Sequence, residues 1–247
     1  MVYINTNTLS GTSRTTTTAA SITRETKDST KTEGAAAYTT KSSTSSLSTL
    51  ARQLSEAAVR ADKRDTEMSF QALGQKAKSI VDQIVGNTYS ANKAKHDAEV
   101  PDTDDPELLA RAKQATDSIN GKASNPFKGM SRDQLALITY DESGTFTVNE
   151  RRAAWSEAYD QEQVWRRKVI QQGTDEYNRT GKLTNFFTEV LEYYKDLPKI
   201  EQAQYPADYE TQLQGWIDSD FNYFTNQAEG KSKSPLSLIE QLLNKGL

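Results

Sequence analysis

The chain has no cysteine, a single histidine (His96) and no long apolar run. Without cysteine there is no disulfide, no thiolate nucleophile and no Cys-ligated zinc, and the compartment stays open, because a reducing cytosol and a cysteine-free exported protein look alike. With one histidine, a catalytic triad or a His-rich transition-metal site would have to be built around His96. No stretch of about 18 apolar residues occurs, so no transmembrane helix is expected. The N-terminus lacks the apolar core of a cleaved secretory signal. Neither a Gly-Lys-Ser/Thr phosphate loop nor a Gly-x-Ser-x-Gly elbow is present. Thirty Lys and Arg against 34 Asp and Glu give a formal charge of -4 with no basic patch, which argues against nucleic acid and anionic membrane as ligands. Only 35% of the 247 residues are hydrophobic, too few for a chain ordered throughout, so part of it is expected to be unfolded.

That part is residues 1–45. Ser and Thr dominate it, as in Thr15 to Thr18 and Ser42 to Ser46, with few large apolar residues after Leu9. Such a segment cannot offset roughly 1–2 kcal/mol of backbone entropy per residue. From Leu47 the pattern changes. Leu47, Leu50, Leu54 and Ala57, then Phe70, Leu73, Ala77, Ile80 and Ile84, recur every three or four residues and predict two amphipathic helices, with a break at Asp62 to Asp65 that makes them a hairpin. Residues 86–104 are polar and read as an acidic linker. Asp105 and Pro106 supply a cap and a first helical position for a helix that buries Leu108, Ala112, Ala115 and Ile119 and stops at Asn120-Gly121.

Most aromatic residues lie in the C-terminal half, so the core is expected there. Capping signals predict helices over 131–139, 148–172, 184–196, 207–228 and 235–245. No segment alternates with period two, and the expected fold class is all-α: a disordered arm over 1–45, a helical hairpin and linker over 46–104, and a compact helical domain over 105–247.

Between two of these helices, Thr139 to Glu150 spell out an unusual pattern. With Gly144 as a sharp-turn glycine at position six, Thr139, Asp141, Ser143, Thr145 and Glu150 fall at positions one, three, five, seven and twelve of a calcium loop, and the apolar Phe146 at position eight. The stretch from Ser131 to Ala158 resembles an EF-hand helix-loop-helix. The resemblance implies those five residues as metal ligands. Thr139 stands where the family has Asp and Ser143 is neutral, leaving two carboxylates and implying, at best, binding in the roughly 10⁻⁴ to 10⁻³ M class. Gly181 aligns with Gly144 as a degenerate sister loop in which Phe187 takes the place of the bidentate Glu. The same residues also read as an ordinary helix connection, with a left-handed glycine and a Thr147-Val148-Asn149-Glu150 capping box.

The opening Ile4 to Ser10 is similar to the start of bacterial flagellins, which leave the cell by a type III apparatus. The Ser/Thr-rich arm, with no acidic residue before Glu25, resembles a type III export signal. His96 with Asp97 and Glu99 reads as a solvated acidic linker more readily than as a metal site. The carboxylate pairs Asp218/Asp220 and Glu189/Glu192 read as helix surface more readily than as a hydrolase site. Trp216, Phe221, Tyr223 and Phe224 are expected in the core. Leu236, Ile239, Leu242 and Leu243 form a final amphipathic stripe that docks on its own domain or a partner.

No enzyme activity and no resident cofactor are expected, weak calcium aside. The leading expectation is a bacterial exported or effector-like interaction protein with a protein partner, either secreted by a non-Sec route or cytoplasmic. The alternatives are a cytoplasmic calcium-responsive adaptor using the 139–150 loop and a carboxylate hydrolase.

Overall fold

The structure, a computed structural model, describes residues 42–231, with side chains from Thr49 onward. Residues 1–41 of the expected arm and the helix expected over 235–245 lie outside the described residues, while Ser42 to Ser45, expected as the end of the arm, open the first helix. Within them the fold is all-α. Helices α1 (Ser42–Glu67), α2 (Phe70–Val85), α3 (Asn87–Ala91), α4 (Lys93–Asp97), α5 (Pro106–Ile119), α6 (Arg132–Thr139), α7 (Val148–Thr180), α8 (Thr184–Asp196), α9 (Lys199–Gln202) and α10 (Tyr209–Ser219) precede a two-residue antiparallel pair, β1 (Phe221–Asn222) and β2 (Gln227–Ala228).

Several helix starts form where the sequence places them. Asp105 caps α5 with Pro106 next to it, and Ser131 and Thr147 each close a reciprocal capping box. Each box satisfies two backbone N–H groups that a helix start otherwise leaves without partners.

The break between the first two helices lies elsewhere than expected. Asp62 to Asp65 are helical and α1 runs on to Glu67, the turn falling at Met68-Ser69. Lys63 and Arg64 are good helix formers and Arg64 pairs with Asp65 at 2.8 Å, so charge density alone does not stop a helix. The two helices do not make a free-standing hairpin. α1 packs on α6, placing Ala57, with Leu50 and Leu54, in a core built from Phe127, Leu135, Ile138 and Phe146. α2 packs on α9 and α7, burying Leu73, Ala77 and Ile80 against Ala136, Tyr140 and Ile200. Phe127 is fully buried, and withdrawing a side chain of that size from water is worth about 1.5–3 kcal/mol.

Residues 86–104 are not a solvated linker. They form α3 and α4, with Tyr89 buried and donating to Asn149 at 2.8 Å, and His96 stacked on the Tyr89 ring. Asp97 accepts from Asn149, and Glu99 accepts from the Val148 amide at 2.9 Å.

α7 is the spine. Its 33 residues span about 50 Å. The N-terminal half presents Ala153, Ala154 and Ala158 to the first core, small residues that let α5 and α6 approach closely. The C-terminal half presents Val169 to a separate core with Val190, Leu191 and Leu213 of α8 and α10. The helix passes the stop expected at 172 and carries Gly173 as a contact point: a Cβ there would lie 2.7 Å from the Phe186 ring. It ends at Gly181, which is left-handed at φ 74°.

The helix expected over 207–228 ends at Ser219. Asp220 turns left-handed at φ 43°, and the Asn222 side chain accepts from the Phe224 and Thr225 amides. Short Asp and Asn side chains bond neighbouring backbone and tolerate that conformation, and here they override the apolar periodicity.

Candidate functional site

The residues expected as calcium ligands are split between two clusters. Thr139 closes α6, and its Oγ1 is buried with no protein partner. Asp141, Ser143 and Thr145 come together in the loop. The Ser143 amide and hydroxyl donate to the two Asp141 carboxylate oxygens at 2.9 and 3.0 Å, and the Ser143 and Thr145 hydroxyls lie 2.8 Å apart. Gly144 supplies the left-handed turn at φ 86°, and Phe146 packs into the core as position eight requires.

The Asp141 carboxylate is taken by Arg60, reaching in from α1 with Nη2 2.6 Å and Nε 3.2 Å away. Glu150 sits fully buried in the second cluster. One of its oxygens accepts from Arg111 Nε at 2.7 Å, and the other from the Thr147 amide at 2.8 Å and hydroxyl at 3.1 Å. Arg111 also donates to Gln53 and lies over the Phe146 ring. A third guanidinium, Arg151, is buried beneath the loop and donates to the Thr139 carbonyl. Burial holds its pKa below the ordinary value, against the pull of Glu142 and Asp141. Both carboxylates are therefore already met by guanidinium groups, and this arrangement does not fit a divalent cation, which needs its oxygens converging and free. The stretch aligned as a sister loop is not a loop of that length, since Tyr177 to Thr180 form the last turn of α7 and only Gly181 to Leu183 connect it to α8.

Of the concave surfaces along α7, two bring together aromatic side chains. The first, about 240 Å³, is lined by a closed ionic network. Arg132 donates to Glu201 at 2.7 Å and to the Ala158 carbonyl at 2.8 Å, and Arg166 pairs with Glu162. Burial works against the Arg132 charge, yet Glu201, Tyr193 and Glu162 around it together more than reverse that and raise the guanidinium pKa. Burial pushes the nearby Tyr193 phenol up to about 12, so it stays protonated and uncharged at neutral pH. These charges are matched within the fold, linking α6, α7 and α9.

The second surface, about 470 Å³, is apolar and open. α7 contributes Val169 and Ile170, α8 contributes Phe186 and Val190, and α10 contributes Tyr209 and Trp216. Trp165 and Tyr193 stack at 3.7 Å along one wall. α8 packs against both α7 and α10, leaving a seam between those two. Ile170 and Trp216 stay 48% and 43% exposed at its edge. The aromatic stripe expected as core is thus largely at the surface, with Tyr223 and Phe224 more exposed still, at 47% and 59%.

The sequence carried a faint signal for this groove. Trp165, Val169 and Ile170 recur at helical spacing on α7, but they lie beyond most of the residues that fill the first core. Arg60 and Arg111 carried no such signal, because each meets its carboxylate across a long stretch of intervening chain. No family model, curated protein or solved structure matches this chain.

Proposed function

We propose that this is a non-enzymatic, exported or effector-like bacterial interaction protein whose helical domain takes an amphipathic helix of a protein partner in the seam between α7 and α10. The observation that carries this reading is the seam itself: three helices turn apolar and aromatic side chains toward one open groove. A groove between helices suits an apolar helical stripe read at i, i+3 and i+7. Export rests on the N-terminal sequence, Ser/Thr-rich and free of acidic residues before Glu25.

A photo-cross-linking amino acid at Ile170, in cells that carry the partner, is expected to give a discrete adduct that Trp216→Glu, at a groove-lining side chain 43% exposed, abolishes while leaving the helical circular-dichroism spectrum intact. An adduct unchanged by Trp216→Glu removes the groove from this reading. Retention of the whole protein inside a strain with an intact type III apparatus removes the export half.

A further inference from the structure

We infer that the cleft framed by Arg132, Trp155 and Tyr205 is a binding site for a small, uncharged, planar aromatic molecule of one or two rings.

One face of α7 builds the cleft. Trp155, Tyr159, Gln163 and Arg166 recur every three or four residues and line it together. α6 adds Arg132 and, at its C-terminal cap, Tyr140, while α9 and the residues just after it add Glu201, Gln204 and Tyr205. Trp155 stacks on Tyr159 with ring centres 5.3 Å apart and planes 16° from parallel. Tyr159 is nevertheless 42% exposed, so this wall keeps ring surface open to water.

The charges of the lining set the first limit on an occupant. Arg132 and Arg166 stand against Glu162 and Glu201, and the formal sum is zero. Each guanidinium already touches a carboxylate: Arg132 Nε lies 2.7 Å from Glu201, and Arg166 Nε lies 2.8 Å from Glu162. Burial raises the pKa of the Tyr140 and Tyr205 phenols, so both stay protonated and uncharged at neutral pH. An incoming cation or anion would leave water without a free countercharge, or would have to break one of these pairs, and either is costly. An uncharged molecule meets neither cost.

Ring surface and a few uncharged polar groups are what the lining offers. Aromatic rings gain from offset-stacked and edge-on contacts beyond the burial of their area. The Gln204 amide is spent on the Tyr140 hydroxyl at 3.0 Å. Gln163 brings a further amide and Tyr205 a hydroxyl, each able to donate and to accept. Aromatic walls with a few polar groups that fix orientation are the usual make-up of a small-molecule site. Size sets the second limit. An apolar cavity of about 150 Å³ holds one benzene ring. At about 240 Å³, the cleft has room for a second fused ring and little beyond it.

Arg166 and Tyr205 also line the seam between α7 and α10, so the two surfaces take separate reporters. In a titration of the isotope-labelled full chain with indole, the Trp155 ring N–H and the Gln163 side-chain amide are expected to shift saturably. Tyr159→Ala and Gln163→Ala should each weaken that binding several-fold. A charge series on the unaltered chain decides the matter even where a variant fails to fold. Benzamide should bind about tenfold tighter than benzoate, and benzyl alcohol about tenfold tighter than benzylamine, because each pair matches in shape and differs in charge. A charged member that binds as well as its uncharged counterpart overturns the inference, as does an indole affinity unchanged in both variants. Indole shifts confined to the Ile170 amide and the Trp216 ring N–H overturn it too, since they place the probe in the seam. So does the lack of any saturable shift up to the solubility limit of indole.

Discussion

Arg60 and Asp141, 81 residues apart in the chain, meet at two points, 2.6 Å from Nη2 to Oδ2 and 3.2 Å from Nε to Oδ1. This contact ties α1 to the loop between α6 and α7. The Asp141 side chain is only 4% exposed, while that of Arg60 is 37% exposed. Arg60→Ala should leave a nearly buried carboxylate without its countercharge. A fully buried pair broken this way costs about 3–5 kcal/mol, and partial solvation of the arginine brings the expected loss to about 1–3 kcal/mol. Urea unfolding checks it, and an unchanged midpoint would show that water replaces Arg60 without cost.

Glu150 makes a stronger case. It is fully buried, pairs with an Arg111 side chain that is 13% exposed, and caps α7 through Thr147. Glu150→Gln removes the countercharge of the mostly buried Arg111, so a loss of about 3–5 kcal/mol is expected. Because the arginine fills the cation's role, the loss should be the same in calcium and in chelator. For the same reason, Trp155 fluorescence of the unaltered protein should stay flat through millimolar calcium. A calcium-dependent signal lost in Glu150→Gln would reinstate the loop as a metal site.

His96 gives a pH prediction with a single reporter. Burial lowers its pKa in the folded state, against the raising influence of Glu99 and Asp97 and with help from Lys95. A base whose folded pKa is depressed stabilises the fold above the unfolded value, about 6.5, and that stability is lost as pH falls through the folded pKa. The ring-proton titration of the one histidine should have its midpoint below 6.5. His96→Gln should flatten the stability profile between about pH 7 and 5. A midpoint above 6.5 reverses the sign and removes the prediction.

Gly173→Ala sets two effects against each other. Alanine favours an interior helix by about 1 kcal/mol over glycine, but its Cβ would meet Phe186 Cδ2 at 2.7 Å. Overpacking of that kind costs about 1–3 kcal/mol. A net fall in Tm is expected, and Phe186→Leu in the same chain should recover it. A rise in Tm would mean that the ring yields freely.

Much of the local structure was legible in the residues. Ser131, Thr147, Asp105 and Pro106 mark helix starts because caps act over three or four residues, and the apolar spacing of Leu73, Ala77 and Ile80 marks the buried face of α2 for the same local reason. Where two local rules competed, periodicity alone misled. The aromatic run after Trp216 has helical spacing, but Asp220 and Asn222 turn the backbone, and α7 runs past its expected end at 172 with Gly173 packed on Phe186.

The sequence by itself determined the all-α class, most helix starts and the shape of the Thr139 to Glu150 turn, since these depend on neighbours a few residues away. Only the tertiary structure decided what the turn's carboxylates hold and where the apolar surface stays open. Arg60 reaches Asp141 and Arg111 reaches Glu150 across long stretches of chain, and the seam exists because α8 packs on both α7 and α10 without drawing them together. Charge pairing and helix packing at such separations are set by the three-dimensional path of the backbone, which no local pattern encodes.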